Sequence, residues 1–568
     1  MALLVAGALA ILSSSCNDRL GWSDPDGDQR VSVVSQTLVI LARAEPETLA
    51  AREFVPLNGP RLISVLRLLN AGLAMLDGQE VARPYLAVQL PRLDTDTWRL
   101  LPDGEMETTY ALRPNLTWHD GSRLSAEDFV FAWRVYADYG AGQATLGPMS
   151  EIDQVTAPDA RTVVIHWKHP YPGAGSLEAR GFQPLPRSRL EAQYRRGATD
   201  AMARSAFWTT EYVGLGPYKL AKWEPGSYLD VAAFDGHAWG RPKIARIRVR
   251  FMTDLDAALA SLISGDVQVA LDDAIRFPQA GALDREWSSR DGGTVLVVPN
   301  QWRRAEIQQR ADFASPRAIL DARVRRALAY SVDRGALNDA LFGGAATLAD
   351  TFIPPTVVYY PLVEQSLARY PYDLQRAEKL MEEAGFTKGP DGIYLHPTQG
   401  RFVGDLRVNA TPLAQTEVAT LADGWLRAGF DLHSVTVPPA QSRSREMRGG
   451  FPTLYTVGGT PGAGAVGGFI STSVAGPKNG WVGTNRSGWT NSEYDRAYVS
   501  FGRTLDSGER SNQMIEMARL LSRSAAAISL YFTPQVVAYS AKVDGPQPFS
   551  PGSDPTWNIH QWELRASS

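Results

Sequence analysis

Cysteine, histidine and excess charge are all scarce in this chain. Its 568 residues include one cysteine, Cys16, and seven histidines. One cysteine cannot form an intramolecular disulfide, and seven scattered histidines argue against a zinc site. The formal net charge is -4, so no basic excess points to nucleic acid or to an anionic membrane surface. We therefore predict no metal, no cofactor and no nucleic-acid partner.

Long apolar runs are absent after the first 15 residues, "MALLVAGALAILSSS". This run is shorter than the ~20 apolar residues that cross a bilayer, and it is typical of a secretory signal peptide. We predict a signal peptide over residues 1–16 and a polar tether over 17–35. Cys16 then resembles the lipid-acceptor cysteine of bacterial lipoproteins. The predicted location is periplasmic or at the cell surface, with membrane contact only through that lipid. The alternative is a mis-assigned start with Cys16 unmodified.

The length of the chain predicts more than one core, because a single core stops growing at ~250–300 residues. Helical and strand patterns alternate along it, which favours an α/β fold with mixed sheets. In "TDLDAALASLISGDVQVAL" we predict a helix that ends at Gly265, followed by a strand over Val267–Leu271.

Two other helices begin at aspartate caps. "DARVRRALAYSVDRGALNDALF" predicts one helix from Asp321, with Arg323–Arg326 as a solvated face. "YDLQRAEKLMEEAGF" predicts a helix capped by Asp373 that stops at Gly385.

The sequence contains no convincing catalytic motif. "LTWHDGSRLSAEDFVFAW" places His119 and Asp120 near two serines. Asp120-Gly121 is a turn dipeptide, however, and Ser125 with Asp128 forms a capping box. No G-x-S-x-G elbow occurs in the chain. We therefore predict no catalytic residue.

Two further patterns imitate sites. Gly462, Gly464 and Gly467 spell G-x-G-x-x-G, but the strand, helix and carboxylate of a dinucleotide site are missing around them. His166 and His169 are three apart in a predicted strand, so they face opposite sides and cannot chelate one metal.

Seven segments, taken in order, resemble the family 5 extracellular solute-binding proteins, the peptide and nickel type of receptor that feeds bacterial ABC importers. They are "ARPYLAVQLP", "YALRPNLTWHDGSRLSAEDFVFAW", "GLGPYKLAKWEPG", "ALASLISGDVQVA", "LDARVRRALAYSVDRGAL", "YDLQRAEKLMEEAGF" and "NSEYDRAYVSF". Together they span almost the whole mature chain.

This resemblance implies a two-lobed clamshell of the type II, cluster C-like class of periplasmic binding proteins. Lobe I would comprise residues 36–295 plus 536–568, with an inserted subdomain at about 65–185, and lobe II residues 296–535. The implied function is a monomeric receptor that captures a peptide-like or other small polar solute by lobe closure. It would deliver that solute to an ABC permease and ATPase complex.

The resemblance also indicates where a ligand would bind. Peptide-binding members place an acidic residue in lobe II to pair with the ligand's amine, whereas "LYTVGGTPGAGAVGG" contains none. Burying an unpaired ammonium group is costly, so we expect a ligand without a free amine, or Glu45 as a replacement anion. Glu45 is otherwise a solvated loop acid. Four aromatic residues are candidates to stack on the ligand, with packing in the core as the alternative: Trp302, Tyr455, Trp481 and Trp489. Thr460 and Asn485 are candidates to form hydrogen bonds with it.

Two other function classes remain open. A sensory or chaperone-like receptor would bind a ligand and dock to a sensor instead of a permease. A secreted carbohydrate-active enzyme would need two carboxylates facing each other across the cleft, about 5–10 Å apart. The ligand itself, whether peptide, opine, sugar or metal chelate, is left open.

Overall fold

The structure is a computed structural model that describes residues 37–54, 61–138, 147–197, 199–411, 413–550 and 553–565. All of these lie in one unit, Thr37–Ser568. The predicted signal peptide (1–16), its Cys16 and the tether (17–35) lie outside the described residues.

Strands make up one large sheet and several small ones. The strands are β1 (Thr37–Ala42), β2 (Ala74–Leu76), β3 (Ala82–Pro84), β4 (Trp98–Leu100), β5 (Met106–Ala111), β6 (Ile152–Asp159), β7 (Thr162–Trp167), β8 (Tyr218–Glu224), β9 (Tyr228–Ala233), β10 (Arg246–Phe251), β11 (Val269–Ala270), β12 (Gly293–Ile307), β13 (Thr347–Leu348), β14 (Thr387–Lys388), β15 (Tyr394–His396), β16 (Gly400–Arg401), β17 (Val403–Asn409), β18 (Asp431–Val437), β19 (Leu454–Gly459), β20 (Ala527–Ser540), β21 (Val543–Asp544) and β22 (Glu563–Leu564).

Helices alternate with these strands for most of the chain, as the α/β pattern predicts. They are α1 (Ile63–Leu69), α2 (Ala126–Asp138), α3 (Arg187–Arg195), α4 (Thr199–Ala203), α5 (Leu255–Ser264), α6 (Phe277–Ser288), α7 (Ala322–Tyr330), α8 (Arg334–Phe342), α9 (Tyr360–Ser366), α10 (Leu374–Glu383), α11 (Ala414–Ala428), α12 (Pro439–Ser442), α13 (Arg445–Gly449), α14 (Ser492–Arg503) and α15 (Ser507–Arg523).

Helix ends follow the local sequence signals. The Asp373 carboxylate accepts a hydrogen bond from the Arg376 amide at 2.9 Å at the start of α10, as predicted. Gly265 ends α5 in the left-handed conformation, with φ 81°, which is where glycine is favoured. The strand predicted after it over Val267–Leu271 is shorter, since only β11 pairs.

The helix predicted from Asp321 through Phe342 is two helices, so that prediction is wrong. Asp321 caps α7, but α7 ends at Tyr330 and Asp333 caps a new helix, accepting a hydrogen bond from the Ala336 amide. A second aspartate cap inside an apolar pattern therefore starts a new helix.

The stretch that holds His119 is a turn followed by a capped helix, as predicted. The Gly121 amide donates to the Trp118 carbonyl, closing the turn. The Asp128 carboxylate accepts from the Ser125 amide at 2.8 Å, which is the reciprocal half of a capping box.

The large sheet has the strand order β18-β17-β19-β12-β20-β11-β1-β10-β9-β8, with β13 paired to β20. β17 is parallel to both β18 and β19, and β1 is parallel to β10 and β11. A separate four-stranded sheet, β4-β5-β7-β6, lies between residues 98 and 167.

Two long strands, β12 and β20, run antiparallel through the middle of the large sheet. Pro299 faces Pro534, and the register shifts between Pro299 and Gln301. Because proline has no backbone N–H, the ladder loses hydrogen bonds at this point. The pair is therefore locally weakened midway along its length.

Buried apolar residues form two groups of clusters on either side of this crossing. In one group, which we call the outer core, the buried residues come from positions 38–287 and 536–562. In the other, the middle core, they come from positions 302–532. β12 and β20 pass from one core to the other. Among the described residues, no helix is long and apolar enough to cross a membrane.

Candidate ligand-binding site

The candidate site lies where β17 and β19 end. These parallel strands finish at the same edge of the sheet, at Asn409 and Gly459, while β12 passes beside β19 with Trp302 opposite Gly459. In open α/β sheets, ligands bind beyond the carboxyl ends of the parallel strands.

The glycine-rich segment after β19 folds as a series of short 3-10 turns. They are Gly462–Gly464, Val466–Phe469, Ser471–Ser473 and Pro477–Asn479. The G-x-G-x-x-G pattern therefore opens no long helix that could receive a pyrophosphate. The segment also has no carboxylate between residues 454 and 489.

Two of the predicted aromatic ligand contacts are core residues. Trp302 is 3% exposed, donates its indole N–H to Ser529 Oγ at 3.1 Å and contacts Phe352. Trp489 is 5% exposed and packs edge-on against Tyr494.

Asn485 organises the glycine-rich segment from within. It is fully buried; its side-chain amide donates to the carbonyls of Ile470 and Trp489, and its oxygen accepts from the Gly488 amide at 3.0 Å. Both ends of the side chain are therefore used inside the protein.

Tyr455 and Thr460 sit closer to the strand ends. Tyr455 is buried on β19 and its hydroxyl donates to Asn409 Oδ1, which holds its polar tip at the edge where β17 ends. Thr460 is exposed, and its methyl group packs against Gly464, where an added Cβ would come within 2.7 Å of it.

Glu45 already has protein partners on both oxygens. Oε1 accepts from the Trp223 indole at 2.5 Å and Oε2 from the Gly226 amide at 2.9 Å. The carboxylate thus fastens the β8–β9 turn to the loop after β1.

Trp481, a predicted ligand contact, lines a cavity whose other residues were not predicted from the sequence. Three arginines, Arg445, Arg448 and Arg486, share this cavity of about 290 Å³ with it. Trp481 is held at φ 62°, a left-handed conformation that costs a non-glycine residue of order 1–3 kcal/mol and concentrates at functional sites. We call this cavity the basic pocket.

The charges in the basic pocket are not neutralised by the protein. Among the described residues, no carboxylate lies within 4.0 Å of a guanidinium nitrogen of any of the three arginines. Arg448 Nε is buried without a hydrogen-bond partner. Burial lowers the pKa of Arg448, and the charges of Arg486 and Arg445 lower it further.

Arg310 braces the walls of this pocket. Its guanidinium donates to the carbonyls of Ala475, Gly449 and Arg486, and so joins α13 to both ends of the loop that carries Trp481. It also lies over the Trp481 ring, 5.6 Å from the centroid.

A buried ion pair lies near the pocket. Arg304 donates to Glu306 Oε1 at 2.6 Å, while Arg304 Nε and Glu306 Oε2 are buried and find no partner in the described ranges. Burial lowers the pKa of Arg304; the charge of Glu306 acts against this, and the charge of Arg486 adds to it. Arg304 also lies 4.5 Å over the Trp302 ring.

Family comparison decides what kind of protein carries this site. The family model for bacterial extracellular solute-binding proteins, family 5 middle region, matches residues 90–480. The chain belongs to this family.

Relatives and solved structures agree with the assignment. An ABC transporter peptide-binding protein of Brucella ovis is 26% identical over 296 residues, which are 51% of this chain and 51% of that protein. The chain thus aligns with about half the length of the curated Brucella relative.

Two crystal structures share the fold. NikZ from Campylobacter jejuni, in complex with Ni(L-His), has a TM-score of 0.72 at 21% identity, covering 93% of this chain and 99% of its own. An oligopeptide-binding protein from Thermus thermophilus with a pentapeptide has a TM-score of 0.72 at 20% identity, covering 94% and 98%. The predicted type II binding-protein fold is therefore confirmed.

Metal ligation finds no support within the described ranges. No group of three or more His, Cys, Asp or Glu side chains there could hold an ion. His166 approaches Glu107 at 3.6 Å, whereas His169 contacts Glu151 at 2.7 Å. His169 lies beyond the end of β7, so the prediction that both are in one strand is wrong.

The prediction that Arg323–Arg326 form a solvated face is wrong for one of these arginines. Arg325 is buried and donates to the carbonyls of Leu320 and Ser524. Burial lowers its pKa to about 10. Its role is to tie α7 to the end of α15.

The arginines of the basic pocket carried a signal that sequence reasoning missed. The stretch "SRSREMR" contains three arginines and a single acid directly before the acid-free glycine-rich segment. Arg486 lies 38 positions beyond Arg448 in the numbering, so only the fold brings them together.

Proposed function

We propose that this family member is an extracytoplasmic receptor that binds a small polar solute between two lobes and hands it unaltered to an ABC permease and ATPase complex. The observation that carries the proposal is the strand pair β12 and β20, which connects the outer core with the middle core. Family membership supports it.

The proposed lobes follow the two cores. Lobe I comprises residues 36–295 plus 536–568, with the inserted subdomain at about 65–185, and lobe II comprises residues 296–535. Facing prolines at positions 299 and 534 leave the connecting ladder short of hydrogen bonds, which suits a hinge. A ligand that touches both lobes only when they are shut would shift the population toward the closed form.

The ligand in this proposal has no free amine. The glycine-rich segment offers no carboxylate, and both oxygens of Glu45 are occupied. The named relatives include proteins for peptides and for Ni(L-His). An N-blocked peptide, a sugar or a chelate in which the metal binds the amine fits this requirement.

Catalysis is not part of the proposal. Near the site, Glu306 pairs with Arg304 and Asp405 lies 3.4 Å from Arg407. A carbohydrate-active enzyme would instead need two carboxylates that face each other across the cleft, about 5–10 Å apart.

Native mass spectrometry of the protein as purified tests this function, since a retained solute appears as an added mass. A thermal-shift screen follows, because a ligand at 100 times its Kd adds ~2.7 kcal/mol of stability. We expect N-blocked ligands to shift the transition more than tripeptides with free amines. A larger shift from ordinary tripeptides would refute the amine-free ligand, and substrate turnover would refute the receptor.

The N-terminal predictions are tested separately. We propose that residues 1–16 direct export and that Cys16 is lipidated. The intact mass of the mature protein from membranes checks this: a lipid-modified N-terminal Cys16 supports it, and an unmodified Cys16 contradicts it.

A further inference from the structure

The basic pocket gives a chemical class to the solute. We propose that Arg445, Arg448 and Arg486 bind an oxyanion group of the ligand, a carboxylate or a phosphate. This inference rests on the proposed receptor function.

Unpaired charge is the first argument. Three guanidinium groups line one cavity, and in the described part of the chain no carboxylate comes within 4.0 Å of them. Like charges held together destabilise the free protein, so an anion that joins them gains more than one that meets a single arginine.

Unmet hydrogen-bonding capacity is the second argument. Arg448 Nε is buried and has no hydrogen-bond partner among the residues that the structure describes, although buried polar atoms are normally hydrogen-bonded. Guanidinium groups present forked donors that match carboxylate and phosphate oxygens. An oxyanion is the partner that this geometry lacks.

The walls of the pocket are built and not incidental. Arg310 uses three backbone carbonyls to fix the segments that carry Arg448 and Arg486. The Trp481 backbone is held in the left-handed region, and its ring packs against Phe313 at 5.4 Å between centroids. These contacts fix the backbone on two sides of the cavity, next to Arg448 and Arg486.

The pocket also borders the strand ends. Burial raises the pKa of the Tyr455 hydroxyl, and the charges of Arg486, Arg407 and Arg448 act against that rise. Met447, which lies between Arg445 and Arg448 on α13, packs against the buried cluster that contains Tyr455. The Tyr455 hydroxyl in turn reaches Asn409 at the end of β17, so the pocket borders the edge where ligands bind in this fold class.

The test compares three probes by isothermal titration: N-acetyl-diglycine, its C-terminal amide and inorganic phosphate. The wild-type protein is compared with an R448Q/R486Q double variant. Arg443→Gln is the matched control, because Arg443 is exposed on the α12–α13 connection and does not line the pocket. Arg445→Gln is a second variant at an exposed position, included in case the double variant unfolds.

We expect the wild type and the control to bind an oxyanion probe and to ignore the amide. The double variant should lose at least about tenfold in affinity, and Arg445→Gln a few-fold. The probe that binds tells a carboxylate from a phosphate. Equal binding of acid and amide, no binding of either oxyanion, or full affinity in the variants would overturn the inference.

Failure of the receptor function looks different in the same samples. A neutral copurified ligand that binds the wild type and the double variant equally would support the receptor function and refute the oxyanion site. Oxyanion binding without any change in solution scattering would instead refute the proposal that the lobes close on the ligand.

Discussion

Arg303 and Arg304 are neighbours on β12, but their side chains lie on opposite faces of the sheet and have different hydrogen-bond partners. Arg303 donates two hydrogen bonds to Glu417, at 2.8 and 2.7 Å, and a third to Thr456. Tyr531 donates to the same carboxylate at 2.5 Å. On this face the charge is matched and its main donors are used.

Within the described part of the chain, Arg304 has a hydrogen-bond partner for one nitrogen only. It shares a single hydrogen bond with Glu306, and an atom on each side of that pair is buried without a partner. The face continues toward Arg448 and Arg486, which bring further positive charge.

The difference separates a structural network from the proposed binding surface. Satisfied polar networks rigidify a core, whereas unmet groups in a native structure need an explanation such as a ligand. Both faces border the middle core, since Arg304 lies over the rings of Trp302 and Phe469. Only the Arg304 face continues toward the basic pocket.

The largest expected effect comes from Glu417→Gln. Removing this carboxylate's charge leaves Arg303 buried without a counter-charge, so the free energy of unfolding should fall by about 3 kcal/mol or more. Urea denaturation measures it. A loss well under 1 kcal/mol would show that the two faces do not differ as described.

Acid should weaken the same network. Burial works to raise the pKa of Glu417, but Arg303 and the hydrogen bonds outweigh it and hold that pKa below its ordinary 4.5. A depressed carboxyl pKa contributes stability above pH 4.5, and this is lost as pH falls through the folded value. The gap in unfolding free energy between wild type and Glu417→Gln should therefore narrow below pH 4.5. A gap that stays constant between pH 6 and 3 would contradict this.

Glu306→Gln is the matched change on the other face. This change also leaves a buried arginine without its counter-charge. We expect a loss of about 2–3 kcal/mol, smaller than for Glu417→Gln because Glu306 accepts one hydrogen bond and Glu417 accepts three. Removing a negative charge near the basic pocket should also tighten inorganic phosphate binding about threefold. Urea denaturation measures the stability and titration calorimetry measures the phosphate affinity. A stability loss equal to that of Glu417→Gln would contradict the difference between the two faces.

Thr456→Val is the mildest change. It removes one acceptor from Arg303 and keeps the shape of the side chain, so a loss of about 1 kcal/mol is expected with no change in ligand affinity. Changed affinity would mean that the Arg303 face also reaches the ligand.

Local signals let the sequence predict several helix ends and the alternation of helices and strands. Asp373 and Gly265 mark helix ends because caps depend only on nearby backbone. The break between α7 and α8 was missed because Asp333 sits inside an apolar period that continues through both helices. Burial of Arg325 was missed because its partner, Ser524, is far away in the chain.

The site was less predictable for the same reason. The glycine-rich segment and Trp481 could be singled out by composition, yet buried Trp302 and Asn485 serve the core and the loop. Which tryptophan faces a cavity depends on packing from distant segments. The basic pocket in turn requires α13 and the loop at Arg486 to meet.

Small-angle X-ray scattering, with and without the ligand released from the purified protein, tests the receptor account most directly. The radius of gyration should fall when the ligand is added back, as two lobes turn about β12 and β20 and close on it. Identical scattering curves at ligand concentrations that saturate binding would contradict the account.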